Sequence, residues 1–596
     1  MRTPLEQTWD LDVFFPGGSS SPAFAAYLEQ LTADLSAFQA DLNAANPPQS
    51  KDQLEPLAGL LERMQDLSRR LRHADAFVGC LTAQNVKDEG ARLLTGRVTQ
   101  LQAAFESALT TLDSILQAVP PEPWQALLAD PRFVPAAYPL EERRRRAQER
   151  MEPGREQLAG HLAVDGYHGW SELYDTLVGR VAIPFREGDK EVLLSAGQAH
   201  NKLRSPDRQV RVTLFAAWEE AWAKDAELFA AALNHLAGFR LNLYRHRGWD
   251  SVLKEPLEVN RMKPETLQAM WDVIERNKAP LVAYLNRKAK LMGLDRLAWY
   301  DVDAPMGGSA RTFTYDEATA FVVEHFRQFS PAMADFAAHA FEHRWIEAED
   351  RPGKQAGGFC TSFPLKQESR IFMTFSGTAD NVSTLAHELG HAYHQSLMED
   401  LPELAQQYAM NVAETASTFA ETLVSDAALR EAQSKEERVA LLAEKVERAV
   451  AFFMDIHARF LFERDFYAER AKGAVSVQRL NELMENAQRR AFCDALSQYH
   501  PYFWASKLHF YITTDPFYNF PYSFGFLFSM GVYARARAEG PAFAEKYAAL
   551  LRDTGRMTVE ELAARHLGAD LTKPDFWQEA ADLVIADVNE FLRLTE

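Results

Sequence analysis

Cysteine is scarce in this chain, long apolar runs are missing and positive charge is in deficit. Three cysteines, Cys80, Cys360 and Cys493, stand far apart among 596 residues and in no Cys-x-x-Cys spacing. That excludes a thiolate zinc site and a disulfide framework, and it fits a reducing compartment. Nothing approaches the roughly 20 consecutive apolar residues of a membrane-spanning helix. Lys and Arg number 64 against 84 Asp and Glu, a formal net charge of -20, which argues against nucleic acid as a partner. The one strongly basic run, Arg143 to Arg146, sits among Glu141, Glu142, Glu149 and Glu152 and reads as a solvated helix face rather than a phosphate site. Met1 to Ser20 carries Glu6, Asp10 and Asp12 with no basic region leading into an apolar one, so no signal peptide is expected. Cytoplasmic residence, with neither membrane nor nucleic acid as partner, is the expectation. Oligomeric state is left open.

What is present is the balance of a globular protein, 47% hydrophobic and 25% charged. The length points to two or more lobes that share a cleft. From Ser21 to about Ala45, Phe24, Tyr27, Leu28, Leu31, Leu35 and Phe38 recur at helical spacing until Asn46-Pro47-Pro48 stops the run. Further helical runs are predicted at about 52 to 75, 86 to 118 and 140 to 160, and helical patterning dominates again from about 403 to 500 and 540 to 596. Ile183-Pro184 and Gly188 interrupt this habit, which sets a division into an N-terminal helical lobe, 1–187, and a second domain, 188–596. The predicted fold is mainly α. One small β element breaks it. Gly353, Gly357 and Gly358 precede Phe359 to Phe363, and Arg370 to Phe375 is short, apolar and partly β-branched or aromatic. The second of these is expected to serve as an edge strand.

Directly after it lies His387-Glu388-Leu389-Gly390-His391. Asp380 or Asn381 can cap a helix that ends before Pro402. On that helix His387 and His391, four residues apart, share a face one turn from each other, the reach needed to hold one zinc ion. Glu388 points about 100 degrees around the helix, where it can take a proton from water without being a ligand. Two neutral imidazoles leave the ion a net positive charge with which to acidify water and polarise a peptide carbonyl. A catalytic zinc wants a third protein ligand. The downstream candidates are Glu399, Glu403, Glu414 and Glu421. Glu414 is best placed, because small residues around it allow its helix to pack closely, and Glu421, two turns later on the same face, can steady a ligand. His394, three residues beyond His391, can either support a ligand or pack in the core, and packing is the favoured reading.

His387 to His394 followed by Glu414-Thr415-Ala416-Ser417 resembles the thimet oligopeptidase superfamily, and within it the oligoendopeptidase F branch. Trp9-Asp10-Leu11, Arg247 to Leu253, Gly357-Gly358-Phe359, and His509-Phe510-Tyr511 followed by Pro516-Phe517-Tyr518 carry the resemblance over most of the chain. It implies a two-lobed helical body enclosing a deep channel, one zinc ion per chain held by His387, His391 and Glu414, Glu388 as general base, and short unstructured peptides as substrates. It further implies that His509 and tyrosines between Tyr518 and Tyr522 face the substrate. Phe520 and Phe524 stand where that pattern often has tyrosine, so Tyr522 is favoured over Tyr518 as oxyanion donor, with Tyr511 the weakest of the three. Gly357 and Gly358, with Phe359, would let a substrate backbone approach closely.

The reading is therefore a zinc-dependent metalloendopeptidase that hydrolyses internal bonds of short oligopeptides. The alternatives are a zinc carboxypeptidase or dipeptidase, which needs a cation for the substrate's terminal carboxylate, and a catalytically silent metal-containing peptide-binding protein, which has no need of Glu388.

Overall fold

A computed structural model describes residues 4–306 and 312–596; the first three residues of the N-terminal stretch discussed above lie outside it. The protein is mainly α-helical and its few strands are short. Helices form where local chemistry favours them. Ser21 caps the helix Pro22–Ala44 by accepting the Phe24 amide, and Pro22 occupies a first-turn position where no amide is required. Leu28, Leu31, Leu35 and Phe38 make up much of its buried face. Leu54–Gln84 and Glu89–Ala118 follow. The run predicted at 140 to 160 is two helices, Ala137–Gln148 and Pro153–Ala163, because a proline can open a helix but cannot donate into one.

Arg143 to Arg146 is only in part a solvated face. Arg144 is buried, lies over the Trp124 ring and donates to the Val119 carbonyl at 2.6 Å. Arg143 pairs with Asp113 at 2.5 Å, and Arg146 with Glu142 at 3.0 Å. A planar guanidinium can be stacked and hydrogen-bonded at once, which lets Arg144 enter the interior.

The chain forms two compact units, each assembled from three segments. The first comprises Met1–Arg150, Ala310–Ala428 and Arg535–Gly568; the second comprises Met151–Ser309, Leu429–Ala534 and Ala569–Glu596. The sequence-based division at 187/188 follows chain order instead and falls in a hairpin of the second unit. There β1 (Ala182–Glu187) pairs antiparallel with β2 (Lys190–Ser195), and Gly188 supplies the turn with φ 61°.

The first unit is discontinuous because its N-terminal helices and the strands near His387 share one core. Three strands form its sheet: β3 (Ile346–Glu347), β4 (Phe359–Phe363) and β5 (Glu368–Phe372). Phe363 and Phe372 join the core built on Phe24, Phe38 and Phe77. Phe14 stacks on Phe363 with ring centres 3.7 Å apart, and Trp9 meets both Phe359 and Phe372. Arg370, buried, donates to the Asp10 carbonyl and lies over Phe14. Full burial of each such ring is worth roughly 2 to 3 kcal/mol.

The strand order is β3-β5-β4, with β5 parallel to β3 and antiparallel to β4. This corrects the expectation for Arg370 to Phe375: its strand is central, and β3 and β4 are the outer strands. A two-residue β3 is too short to register as a pattern in the sequence. The helix Ala379–Ser396 follows β5 and packs against β4 and β5.

In the second unit a buried polar cluster holds the segment 508–519. Arg240 donates to the hydroxyls of Tyr167 at 2.8 Å and Tyr467 at 2.6 Å, and to the Ile512 carbonyl at 3.2 Å. Glu463 accepts from the Phe517 amide at 3.2 Å and the Asn519 side chain at 2.5 Å. Phe517 is buried with φ 55°, a left-handed conformation that costs a bulky residue about 1 kcal/mol or more and is held by these bonds. Burial is the largest influence on the Glu463 carboxyl. Arg240 and the two hydrogen bonds oppose it, and the group is left at about 8 against an ordinary 4.5. Between those values the folded chain keeps a proton that the unfolded chain releases, so this group withdraws stability as pH rises. Glu463→Gln has no proton to lose. Its stability relative to wild type should rise by about 1 to 3 kcal/mol between about pH 5.5 and pH 8 in urea unfolding. A difference independent of pH would contradict the raised carboxyl.

Candidate metal centre

The motif helix Ala379–Ser396 begins at Thr378, whose hydroxyl accepts the Asn381 amide at 3.2 Å. Neither Asp380 nor Asn381 is the cap. The Asn381 side chain reaches back instead to the Ser376 amide and hydroxyl, at 2.7 and 2.9 Å. Thr378 has the extended backbone a cap requires, φ -82° and ψ 159°.

Helical spacing brings the two imidazoles together, edge to face, with ring centres 5.0 Å apart. The helix Met410–Glu431 adds Glu414. One Glu414 oxygen lies 3.3 Å from His387 Nε2 and 3.5 Å from His391 Nε2. Ligand atoms of the three residues all fall within 4.8 Å of one another. Two imidazoles and a carboxylate are the borderline donors that suit zinc and leave a fourth position open.

That convergence depends on Gly390, whose role the sequence reading missed. A Cβ there would stand 2.6 Å from the Ala416 carbonyl oxygen and 2.7 Å from the Ser417 Cα. The two helices touch backbone to backbone at this point. A glycine inside a helix costs about 1 kcal/mol relative to alanine, and that cost was the available signal that something packs against it.

Neighbours orient the donors. His387 Nδ1 lies 3.3 Å from Glu421, which fixes the proton on that nitrogen and turns Nε2 towards Glu414. Ser417 donates to the Glu414 carboxylate at 2.7 Å. Glu403 is committed to Arg72 at 2.7 Å and Ser68 at 3.2 Å, which removes it from the ligand candidates. His394 is fully buried, stacked on Tyr408, with Nε2 2.8 Å from the Thr554 hydroxyl and 3.1 Å from the Leu551 carbonyl; it packs, as expected.

Glu388 is 7% exposed. Burial raises its carboxyl to about 7; the Glu414 charge adds to this and His387 opposes it. Burial lowers His391 to about 4, so it is the neutral imidazole a metal requires. Burial alone would raise Glu414, but hydrogen bonding to His387 and the charges of both histidines outweigh it and hold the carboxyl at about 2. Gly358 faces this base: a Cβ there would lie 3.5 Å from a Glu388 oxygen and 3.2 Å from the Phe372 carbonyl. Gly357, with φ 94°, turns the chain into β4 at Phe359.

His509, Tyr518 and Tyr522 belong to the second unit and form a cluster of their own, with ring centres 5.5 to 5.9 Å apart and all three rings half-buried. Tyr511 is fully buried against Tyr174 at 3.8 Å, a core residue. Phe520 and Phe524 are core as well, packed on Phe460 and on Phe528 and Trp577. No phenol would be accommodated there without a buried partner.

A helix bearing two histidines and a buried glutamate, with a second glutamate supplied by a neighbouring helix, defines the class: a metallopeptidase. The profile described as Peptidase family M3 matches residues 202–583, and that described as Oligopeptidase F matches 116–182. The chain belongs to peptidase family M3. It is 22% identical over 599 residues to an oligoendopeptidase F homolog of Lactococcus lactis subsp. lactis, covering 99% of this chain and 97% of the relative. It is 23% identical over 590 residues to the group B oligopeptidase PepB of Streptococcus agalactiae, covering 97% and 96%. Among solved structures, oligoendopeptidase-F from Enterococcus faecium matches with TM-score 0.70 at 18% identity over 96% of this chain and 98% of that one. Pz peptidase A matches with TM-score 0.72 at 17% identity over 94% and 97%.

Gly390→Ala tests the close approach. The added methyl forces the helices apart, with an expected stability loss of about 1 to 3 kcal/mol and zinc affinity reduced at least about tenfold. Thermal melting and zinc titration of the metal-free protein check both, and wild-type values for the variant would refute the contact.

Proposed function

We propose that the protein is a zinc-dependent endopeptidase that hydrolyses internal bonds of short, unstructured oligopeptides, with one zinc ion per chain. The observation that carries this reading is the meeting of His387, His391 and Glu414 beside the buried carboxyl of Glu388. The names of its relatives support oligopeptides as the substrate class. Zinc, when bound by these three residues, supplies Lewis-acid polarisation of the scissile carbonyl and acidifies water.

The chain's own groups do the rest. Glu388 takes a proton from the attacking water as its oxygen bonds to the carbonyl carbon, and returns that proton to the amine as the C–N bond breaks. Low surrounding polarity suits this, since it poises the carboxyl near neutral pH. Glu421 keeps His387 in one tautomer, and Ser417 holds the Glu414 carboxylate, so neither ligand has to reorganise during turnover. The free edge of β4, entered through Gly357, Gly358 and Phe359, offers backbone groups to an extended peptide. A Cβ at Gly358 would press on the Phe372 carbonyl at 3.2 Å and touch a Glu388 oxygen at 3.5 Å. His509, Tyr518 and Tyr522 are the donors to the carbonyl oxygen as negative charge develops on it, with Tyr522 foremost. An intact Glu388 disfavours the silent peptide-binding reading.

Glu388→Gln should retain zinc at wild-type stoichiometry while turnover of internally quenched peptides falls by a factor of about 100 or more. Metal analysis beside the assay, with a chelator control, reads both; a variant as fast as wild type would end the general-base assignment. Mass spectrometry of the products separates cleavage at internal bonds from trimming at the last one. Tyr522→Phe is expected to lower kcat by about 10- to 1,000-fold with little change in KM, as loss of an oxyanion donor should. An equal rise in KM at constant kcat would make Tyr522 a binding residue instead.

A further inference from the structure

Lys507 follows the short helix Phe503–Ser506 and precedes His509 by two residues. Its ammonium lies 5.1 Å from the centre of the Phe503 ring, and the Arg459 guanidinium lies 5.4 Å from the same centre. Two cations therefore crowd a single aromatic side chain, which attracts each but cannot neutralise either. Their counter-ions differ. Arg459 pairs with Asp455 one helical turn away. Among the described residues no carboxylate lies within ion-pair distance of Lys507. Asp455 and Asp303 act on it only from further off, and Arg459 acts against them. Burial first, and Arg459 second, lower the ammonium to about 8.

A partly buried cation without a partner is costly, because the water it gives up is not replaced by a counter-charge. The cost is recovered when an anion binds. His509 feels the same pair: burial, then Arg459 and Lys507, lower it to about 4, so at neutral pH it is an uncharged imidazole beside a positive field. Tyr518 and Tyr522 complete the group, their rings 5.6 and 5.9 Å from that of His509.

We propose that Lys507, backed by Arg459, forms a subsite for a carboxylate of the bound peptide, beside His509, Tyr518 and Tyr522. The inference rests on the reading above that His509 faces substrate. A peptide has two sources of this chemistry, its own C-terminal carboxylate and an Asp or Glu side chain. Occupation by the C-terminus would make cleavage depend on where the peptide ends, so that chain length as well as sequence selects the bond.

Binding and turnover test it separately. Fluorescently labelled peptides of one sequence are prepared as the C-terminal acid and the C-terminal amide, and a further amidated pair carries Glu or Gln near that end. Kd is measured by anisotropy on the zinc-loaded Glu388→Gln protein with residue 507 as Lys, Met or Arg, and thermal melting confirms that each variant is folded. With Lys507, the acid should bind about tenfold more tightly than the amide, or the Glu peptide than the Gln peptide, according to the source. Lys507→Met should bring the affected ratio to about one, and Lys507→Arg should keep most of it. A ratio near one for both pairs with Lys507 in place, or a preference that persists in Lys507→Met, overturns the proposal. Turnover of the same peptides by the enzyme with Glu388 intact reads the peptidase assignment alone, so either reading can fail without the other.

Discussion

The first unit is organised around the contact of two helix backbones at Gly390. The Ala416 carbonyl and the Ser417 Cα occupy the space that any side chain at that position would fill. Only at this separation does Glu414 reach both His387 and His391, and only then can Glu421 steady His387 and Ser417 hold the Glu414 carboxylate. A helix places two donors by its own periodicity, but a third must come from elsewhere in the chain, and its distance is set by how closely two helices pack. The intrinsic cost of a glycine in a helix is offset by the donor set it makes possible.

Behind this contact lies a core that joins distant parts of the chain. Trp9, Phe14 and the helix Leu54–Gln84 support the strands that lead into the motif helix, with Arg370 tied to the Asp10 carbonyl and Glu403 to Arg72. The N-terminal segment is thus part of the scaffold of the metal centre rather than an appendage to it. Within the sheet β5 pairs with both β3 and β4, and Phe14 backs β4 through Phe363, which leaves β4 as an outer strand entered at Gly358 beside Glu388.

The second unit solves a different problem, that of holding polar groups where apolar packing surrounds them. Arg240 and Glu463 spend their hydrogen bonds on the segment 508–519, including the left-handed Phe517, and so fix the loop that carries His509 and Tyr518. Buried polar clusters of this kind are stable only when nearly every member is satisfied. Lys507 is set apart by this measure, a cation with an aromatic neighbour and, among the described residues, no carboxylate within ion-pair distance.

The sequence by itself determined most of the helices, through apolar periodicity and through stops such as Pro47. It also determined the pairing of His387 with His391, because helical geometry alone puts residues four apart on one face. Glu414 was legible as the best of four candidates from the small residues around it. Tertiary structure decided what depends on contacts between distant segments: the close approach at Gly390, the central place of β5, the assembly of each unit from three stretches of chain, and the interior position of Arg144. Local pattern reports which face of an element is apolar. It does not report which other element will cover that face, because that partner is chosen by the packing of the whole core.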